Sequence, residues 1–393
     1  MKKILMIAMM LVASSAAFAI DSDALKAVMN SNNYAEAARL LKQNIGQMAD
    51  NAEKAKAYNH LVDLAMKTVY EQAAIIAENQ PCDTLEMANA ICDAIESAVE
   101  CNKYDQRPNA KGVVAPLYSN LNAQRVWAVR YHLVNIGQNQ AINGNTKAAL
   151  KYWGTFALSY EEPLFAEQDH APESDFIGQV AFFAGRYAYD EGDMAAVRRY
   201  LAIAKKDPRE KRNAINLEIF AIRYNLRSHN DSLRAINELK ALYKAEPEDD
   251  AVLDALNGMY DGMNDRAAQE ALLDNHLAKY PNSFAALASK GLMAMEDNDP
   301  VKAVEWLQKS IVYMPDNAVI YTYLGICYLS LASNTQDNAK MKEYYKQAIN
   351  AFDKAKEIDP DKQMSIWGDY RYQAYCGLYG ENDARTKAAE ADR

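Results

Sequence analysis

Few residues of this sequence combine the types and the spacing that chemistry requires. It contains five histidines, and none of them keeps a spacing typical of zinc ligands. His170 lies among potential co-ligands, since Glu167, Asp169 and Glu173 are its neighbours in the sequence. A solvated acidic loop accounts for this group more simply than a metal ion does. We therefore predict no metal site and no cofactor.

Motifs for catalysis are equally scarce. The segment 296–299 (Glu-Asp-Asn-Asp) is similar to the start of a calcium loop, but the alternating ligands, the central glycine and the closing glutamate are missing. The sequence contains no glycine-rich phosphate loop after a strand and no Gly-x-Ser-x-Gly elbow. We predict that the protein is not an enzyme.

The cysteines are five in number, at positions 82, 92, 101, 327 and 376. Cys92 and Cys101 lie on one predicted helix, about 13 Å apart at 1.5 Å per residue, so they cannot form a disulfide with each other. Cys82 with Cys101, or Cys327 with Cys376, can meet across neighbouring helices. Buried free thiols in a helical core are the alternative.

The first residues have the pattern of an export signal. Lys2 and Lys3 give a basic start, residues 4–12 are apolar, and Ala17-Phe18-Ala19 is a small-x-small cleavage site. We expect residues 1–19 to be removed after Ala19, which places the mature protein in the periplasm or outside the cell. The alternative is an uncleaved anchor over residues 4–20, which is shorter than the usual span.

Charge and composition narrow the partners and the fold. The formal net charge of −10 argues against nucleic acid and anionic lipid, since both attract basic surfaces. Half of the residues are apolar, while glycine (15) and proline (11) are scarce among 393 residues, as long helices require. No later segment is apolar enough to span a membrane.

A repeat of 34 residues is the strongest signal in the chain. Each period contains an apolar-periodic stretch, an Asn/Asp-rich turn, a second such stretch and then a proline, which predicts a pair of helices. The prolines of this repeat are Pro247, Pro281 and Pro315, and the aspartates with the same spacing are Asp231, Asp265 and Asp299.

Small residues mark where the two helices of a pair cross. Gly291 and Ala303 allow a close approach, Leu307 fills the space beside them, and Pro315 cannot continue the second helix. Asn, Asp and Gly suit the turns between helices, because they tolerate left-handed backbone and cap the helix that follows. Such turns occur at residues 32–34, 143–145, 191–193, 264–265 and 381–383.

The unit after Pro315 resembles the tetratricopeptide (TPR) repeat, whose aromatic, Leu-Gly, Tyr, Ala, Phe, Ala and Pro positions it matches. The matching residues are Tyr321, Leu324-Gly325, Tyr328, Ala348, Phe352, Ala355 and Pro360. The resemblance is strongest over residues 213–360, and an insertion at about 333–344 lengthens the predicted loop between two helices. It implies an all-α fold, an α-solenoid of antiparallel helix pairs in a TPR-like superhelix, with an irregular N-terminal third.

The predicted organisation has four parts. Residues 1–19 are the signal peptide, 20–160 an irregular helical-repeat region, 161–175 a loop or linker, and 176–393 the TPR array. Pro163 and Pro172 mark the boundary segment, which also fits a long loop within one continuous array. In the N-terminal region we expect helices over 52–80 and 84–103, followed by a loop over 105–116.

The resemblance also implies a binding surface, because the first helix of each TPR pair lines the concave side. By register these positions hold Ala285, Ala288, Leu292 and Met295 in one unit, and Val319, Thr322, Ile326 and Leu329 in the next. From them we predict a partner-binding groove. Its residues are Leu292, Met295, Thr322, Ile326 and Leu329.

The predicted groove is apolar and lacks the Lys/Asn/Arg set with which chaperone-adaptor TPR domains hold a terminal carboxylate. It either receives a segment of a partner protein or is ordinary core. Two functions follow as hypotheses: an interaction scaffold of the bacterial cell envelope, with self-association left open, or a protein that captures a glycan or small ligand.

Overall fold

The computed structural model describes residues 21–108 and 112–393. The predicted signal peptide lies outside these residues. Every regular element of the described residues is a helix, so the prediction of an all-α fold is confirmed. The chain divides into two compact units between Glu218 and Ile219, here called unit 1 and unit 2.

Unit 1 is built from helices that pack on their neighbours in the chain, most extensively α3 on α4, α6 on α7 and α8 on α9. Its α-helices are α1 (Asp23–Met29), α2 (Tyr34–Asn44), α3 (Asn51–Ala77), α4 (Thr84–Asp105), α5 (Ser119–Arg130), α6 (His132–Ile142), α7 (Thr146–Ser159), α8 (Ile177–Asp190) and α9 (Met194–Ala204). The described residues of this unit also form short 3₁₀ helices at Ile45–Gln47, Pro163–Phe165 and Ala171–Glu173. Helix α10 (Lys211–Ile222) contains the division between the units.

Unit 2 continues with helix pairs and confirms the predicted solenoid-type arrangement of antiparallel pairs. Its helices are α11 (His229–Ala245), α12 (Asp250–Gly262), α13 (Arg266–Lys279), α14 (Phe284–Glu296), α15 (Pro300–Ile311), α16 (Ala318–Asn334), α17 (Asn338–Ile358), α18 (Trp367–Tyr379) and α19 (Ala384–Glu390). Pro247, Pro281, Pro315 and Pro360 each lie between two of these helices.

The turns have the predicted chemistry. Asn264 and Asn298 adopt left-handed backbone, with φ of 54° and 55°. The following residues, Asp265 and Asp299, cap α13 and α15 by accepting hydrogen bonds from backbone N–H groups. Asp231 differs, because Ser228 caps α11 and Asp231 lies inside the first turn. Asp231 thus keeps the 34-residue spacing of the repeat, although Ser228 caps this helix in its place.

Close helix crossing requires the glycines of the repeat. A Cβ atom on Gly291 would lie 2.6 Å from Cδ2 of Leu307, and one on Gly325 would lie 2.5 Å from the Phe352 ring. Leu307 and Phe352 are fully buried. Each such side chain contributes about 2–3 kcal/mol through burial, and the missing Cβ leaves room for it.

The insertion at 333–344 lengthens helices and not the loop, so that detail of the prediction is wrong. Helix α16 continues to Asn334, and α17 begins at Asn338. Asp337 caps α17 by accepting from the N–H groups of Ala339 and Lys340. Residues 338–344 include good helix formers such as Ala, Lys and Glu, so the added chain extends the pair by further turns.

The segment 161–175, predicted to be a loop or linker, packs within unit 1. Phe165 is fully buried, Leu164 is nearly so, and Glu173 forms an ion pair with the buried Arg130. The division between the compact units lies later, inside α10.

Helices of the N-terminal region agree well with expectation. The predicted stretches 52–80 and 84–103 correspond to α3 and α4, and residues 106–108 and 112–118 contain no helix. Across the described ranges, no helix combines the length and the apolar character that a membrane span needs.

Candidate partner-binding surface

The predicted groove lies on two first helices of unit 2, α14 and α16, and α12 is the first helix of the preceding pair. Helix α14 contacts both α12 and α16, so the three form one continuous row. Their caps are Asp249, Ser283 and Asn317, and the side chain of each accepts from a backbone N–H of the first turn. These caps are spaced by 34 residues, which starts the helices in phase and places equivalent positions side by side.

Four of the predicted groove residues are partly exposed: Leu292 and Met295 on α14, and Ile326 and Leu329 on α16. We call this set the apolar strip. Met295, Ile326 and Leu329 also pack against the core formed by α14 to α18. The strip is therefore neither free surface nor closed core, since three of its side chains rest on the core and all four keep a face open to solvent.

Thr322 does not belong to the accessible surface. Its side chain is buried, at 3% exposure, and its hydroxyl donates to the backbone carbonyl of Ala318 at 2.9 Å. Ala285 and Ala288 are also buried, whereas Val319 is partly exposed. The two alanines and Thr322 thus pack inside unit 2.

At the positions that correspond to the predicted groove, helix α12 carries different types of residue. Residues 34 positions before Leu292 and Met295 are Gly258 and Asp261, and the residue 34 positions before Ala288 is Asp254. All three α12 residues are exposed. Sequence reasoning missed them, although extending the register by one more repeat towards the N-terminus was enough to find them. We call Asp254, Gly258 and Asp261 the acidic notch.

The electrostatics of the notch reflect its surroundings. Desolvation by the surrounding protein, with a smaller contribution from the charge of Asp250, raises the pKa of Asp254 to about 6. At pH 7 a carboxyl with this pKa is mostly ionised. The notch therefore presents negative charge at one end of the apolar strip.

Residues singled out for chemistry have structural roles. His170 bonds through Nε2 to the carbonyl of Phe165 at 2.9 Å, and its ring packs on Trp127 and Tyr160. Glu173 pairs with Arg130. In the part of the chain that the structure describes, no three His, Cys, Asp or Glu residues lie close enough together to hold a metal ion.

The acidic turn at residues 296–299 is also accounted for by contacts within unit 2. Arg266 bonds to Glu296 at 2.9 Å and to Asp297 at 2.6 Å. Asp299 caps α15. These carboxylates fix the junction between two helix pairs.

All five cysteines are free thiols, so neither of the disulfides considered above is present in the structure. Burial raises the pKa of Cys92 to about 11 and the pKa values of Cys101 and Cys327 to about 12. These three thiols are protonated near neutral pH and are poor nucleophiles.

Among the clefts of the described part of unit 1, two have linings that the sequence did not indicate. One has a volume of about 470 Å³ and is lined by Trp153, Phe183, Tyr187 and Ile142, among others. The other has a volume of about 450 Å³. It presents five primary amides, from Asn102, Gln106, Asn120, Gln124 and Gln168, beside Ser119 and Glu167.

Comparison with known proteins gives short local matches. No model of a known protein family matches the chain. It is 29% identical over 109 residues to human interferon-induced protein with tetratricopeptide repeats 2, and 28% identical over 97 residues to the mouse protein of that name. The human match covers 27% of this chain and only 23% of the human protein. The mouse match covers 22% of this chain and only 21% of the mouse protein.

One solved structure similar to this chain is the human IFIT1 dimer with m7Gppp-AAAA. The two are 15% identical, the likeness covers 67% of each chain, and the TM-score is 0.38. The two relatives found by sequence carry tetratricopeptide repeats by name, which supports the resemblance that the repeat itself indicates.

Proposed function

We propose that this chain is a protein–protein interaction scaffold or adaptor of the bacterial cell envelope. It binds a segment of a partner protein through the apolar strip of unit 2. The observation that carries the proposal is the strip itself: four apolar side chains on two adjacent helices remain partly exposed, and three of them rest on the core. Adjacent first helices offer such a segment a continuous apolar track.

The binding free energy expected from covering the apolar strip is moderate. Covering a half-exposed Leu, Ile or Met side chain contributes about 1 kcal/mol, roughly half of the value for full burial. Four such contacts must also offset the entropy lost on association. The strip therefore suits a reversible contact that further interactions strengthen.

The envelope location rests on the signal peptide proposed for residues 1–19, with the mature protein in the periplasm or secreted. The proposal includes no catalytic step and no cofactor. Nucleic acid is not part of it, since the net charge of −10 disfavours a polyanion.

A retention experiment tests this proposal. The purified protein is immobilised and exposed to a cell-envelope extract, and Leu292→Asp is compared with the parent chain. We expect the parent to retain a defined partner and Leu292→Asp to lose it, because the strip then carries a buried charge on binding. Val301→Asp is the matched control, since Val301 is 54% exposed on the second helix α15. Equal retention by all three proteins would contradict the proposal.

The amide-lined cleft of unit 1 favours a second candidate function, the capture of a glycan or small ligand. Primary amides donate and accept hydrogen bonds without charge, which suits neutral hydroxyl groups. A thermal-shift screen with neutral oligosaccharides tests this function. Stabilisation by one of them that Gln124→Ala abolishes would support it, and the absence of any shift would remove it.

A further inference from the structure

Beyond a segment of unspecified chemistry, we infer that the partner of the apolar strip carries a basic side chain, lysine or arginine, that lies over Gly258 between the carboxylates of Asp254 and Asp261. Apolar residues next to it contact Leu292 and Ile326. This inference rests on the proposed function, because it uses the same surface, and it specifies the chemistry of the partner segment.

Gly258 is the first part of the argument. It lies inside helix α12, where glycine costs about 0.5–1 kcal/mol relative to alanine. Neither of the usual structural reasons for glycine applies, since its φ is not positive and a Cβ built there would meet nothing within 4 Å. The fold of unit 2 therefore does not require a glycine here. A bare backbone in an exposed place allows a ligand to approach closely.

The second part is the placement of the two carboxylates. Asp254 precedes Gly258 by four residues and Asp261 follows it by three, so all three share one face of the helix. Both aspartates are exposed. Within the described ranges neither carboxylate has an ion-pair partner. A lysine or arginine side chain placed between them would interact with two carboxylates that no described side chain of this chain neutralises.

The third part is the neighbourhood of the notch. Gly258, Leu292 and Ile326 occupy equivalent positions on α12, α14 and α16, and α14 contacts both of the other helices. A segment that crosses the three helices meets first the acidic notch and then the apolar strip. Charge complementarity therefore favours a basic residue where the partner segment lies on the acidic notch. The apolar strip favours apolar residues in the neighbouring part of that segment.

A displayed library of random peptides provides the test. The purified protein is used for selection, and the recovered peptides are measured by fluorescence anisotropy against the parent and four variants. The Asp254→Asn/Asp261→Asn double variant removes both charges, and Gly258→Leu fills the notch. Leu292→Asp disrupts the strip, and Glu270→Gln, at an exposed glutamate of the second helix α13, is the control for charge.

We expect enriched peptides that combine lysine or arginine with apolar residues. Their affinity should fall tenfold or more in the double variant, in Gly258→Leu and in Leu292→Asp, and should be unchanged in Glu270→Gln. Circular dichroism checks that the variants keep the helical content of the parent.

The outcomes separate the two proposals. Peptides that depend on Leu292 but are not enriched in basic residues, and that bind the double variant as well as the parent, would overturn this inference and leave the proposed function standing. If no peptide is recovered, or none depends on Leu292, both are overturned.

Discussion

Arg130 and Glu173 form an ion pair inside unit 1, in which the side chain of Arg130 has no exposed surface and that of Glu173 is 8% exposed. The Arg130 guanidinium lies 4.0 Å from the centre of the Trp127 ring and 4.3 Å from that of Phe156. It also donates to Oγ of Ser159 at 3.0 Å. This cluster holds segment 161–175 against α5 and α7, which explains why that segment is part of a compact unit.

Removing the carboxylate of this pair should destabilise unit 1. In Glu173→Ala the buried guanidinium loses its counter-charge, and we expect the free energy of unfolding to fall by about 3–5 kcal/mol. Urea denaturation measures the change. The control is Glu167→Ala, at an exposed position of the same segment, which should have little effect. Similar losses in both variants would show that the pair is not the cause.

Replacing glycines of the repeat by alanine should lower the stability at some positions and raise it at another. Gly291→Ala and Gly325→Ala place a Cβ within 2.6 Å of Leu307 and within 2.5 Å of Phe352, respectively, and should cost about 1–3 kcal/mol through overpacking. Gly258→Ala meets no neighbour and should stabilise by about 0.5–1 kcal/mol. Thermal melts of the three variants check the signs. A destabilised Gly258→Ala would mean that the fold needs this glycine.

Asp254 should make stability depend on pH. Its pKa in the folded protein is raised from 3.8 to about 6, so the folded state binds the proton more tightly than the unfolded state does. The free energy of unfolding therefore falls as the pH rises from about 4 through about 6. Because this side chain is exposed, the contribution is reduced by solvent to about 1 kcal/mol or less.

The variant Asp254→Asn removes this contribution. We expect it to be more stable than the parent at pH 7 and to approach the stability of the parent at about pH 3, where the parent carboxyl is largely protonated in both states. Urea titrations at the two pH values measure the difference. A variant less stable than the parent at pH 7 would contradict the raised pKa.

Alkylation should separate the cysteines by burial. Cys92, Cys101 and Cys327 are buried, while Cys82 and Cys376 are partly exposed. We expect iodoacetamide to modify the latter two in the native protein and all five only after unfolding. Mass spectrometry of peptides identifies the sites. Detection of a Cys82–Cys101 or Cys327–Cys376 disulfide would contradict the free thiols of the structure.

Sequence reasoning succeeded where a single local cause decides the structure. Asn298 and Asp299 determine a turn and a cap by their own backbone and side-chain chemistry, and Gly291 accommodates Leu307 within one helix pair. The same logic extends to the caps Asp249 and Ser283, whose 34-residue spacing is visible without coordinates.

Sequence reasoning failed where the structure depends on several neighbouring segments at once. Thr322 satisfies a face pattern, but its burial depends on how the neighbouring helices pack around α16. The inserted chain before Tyr344 was expected to be loop, although Asp337 can cap a helix as well as end one. The division at Glu218 lies inside a helix, where no local composition marks it, because it reflects the distribution of contacts over the whole chain.

A photo-crosslinking amino acid at position 292 tests the central claim most directly, because it reports which protein touches the apolar strip in the cell. The same amino acid at position 301, on the second helix of the pair, is the comparison. Irradiation of cells that produce the two proteins, followed by denaturing gels and mass spectrometry, should give a cross-link to one defined protein from position 292 and none from position 301. No cross-link at position 292, or the same products from both positions, would contradict a partner bound on the strip.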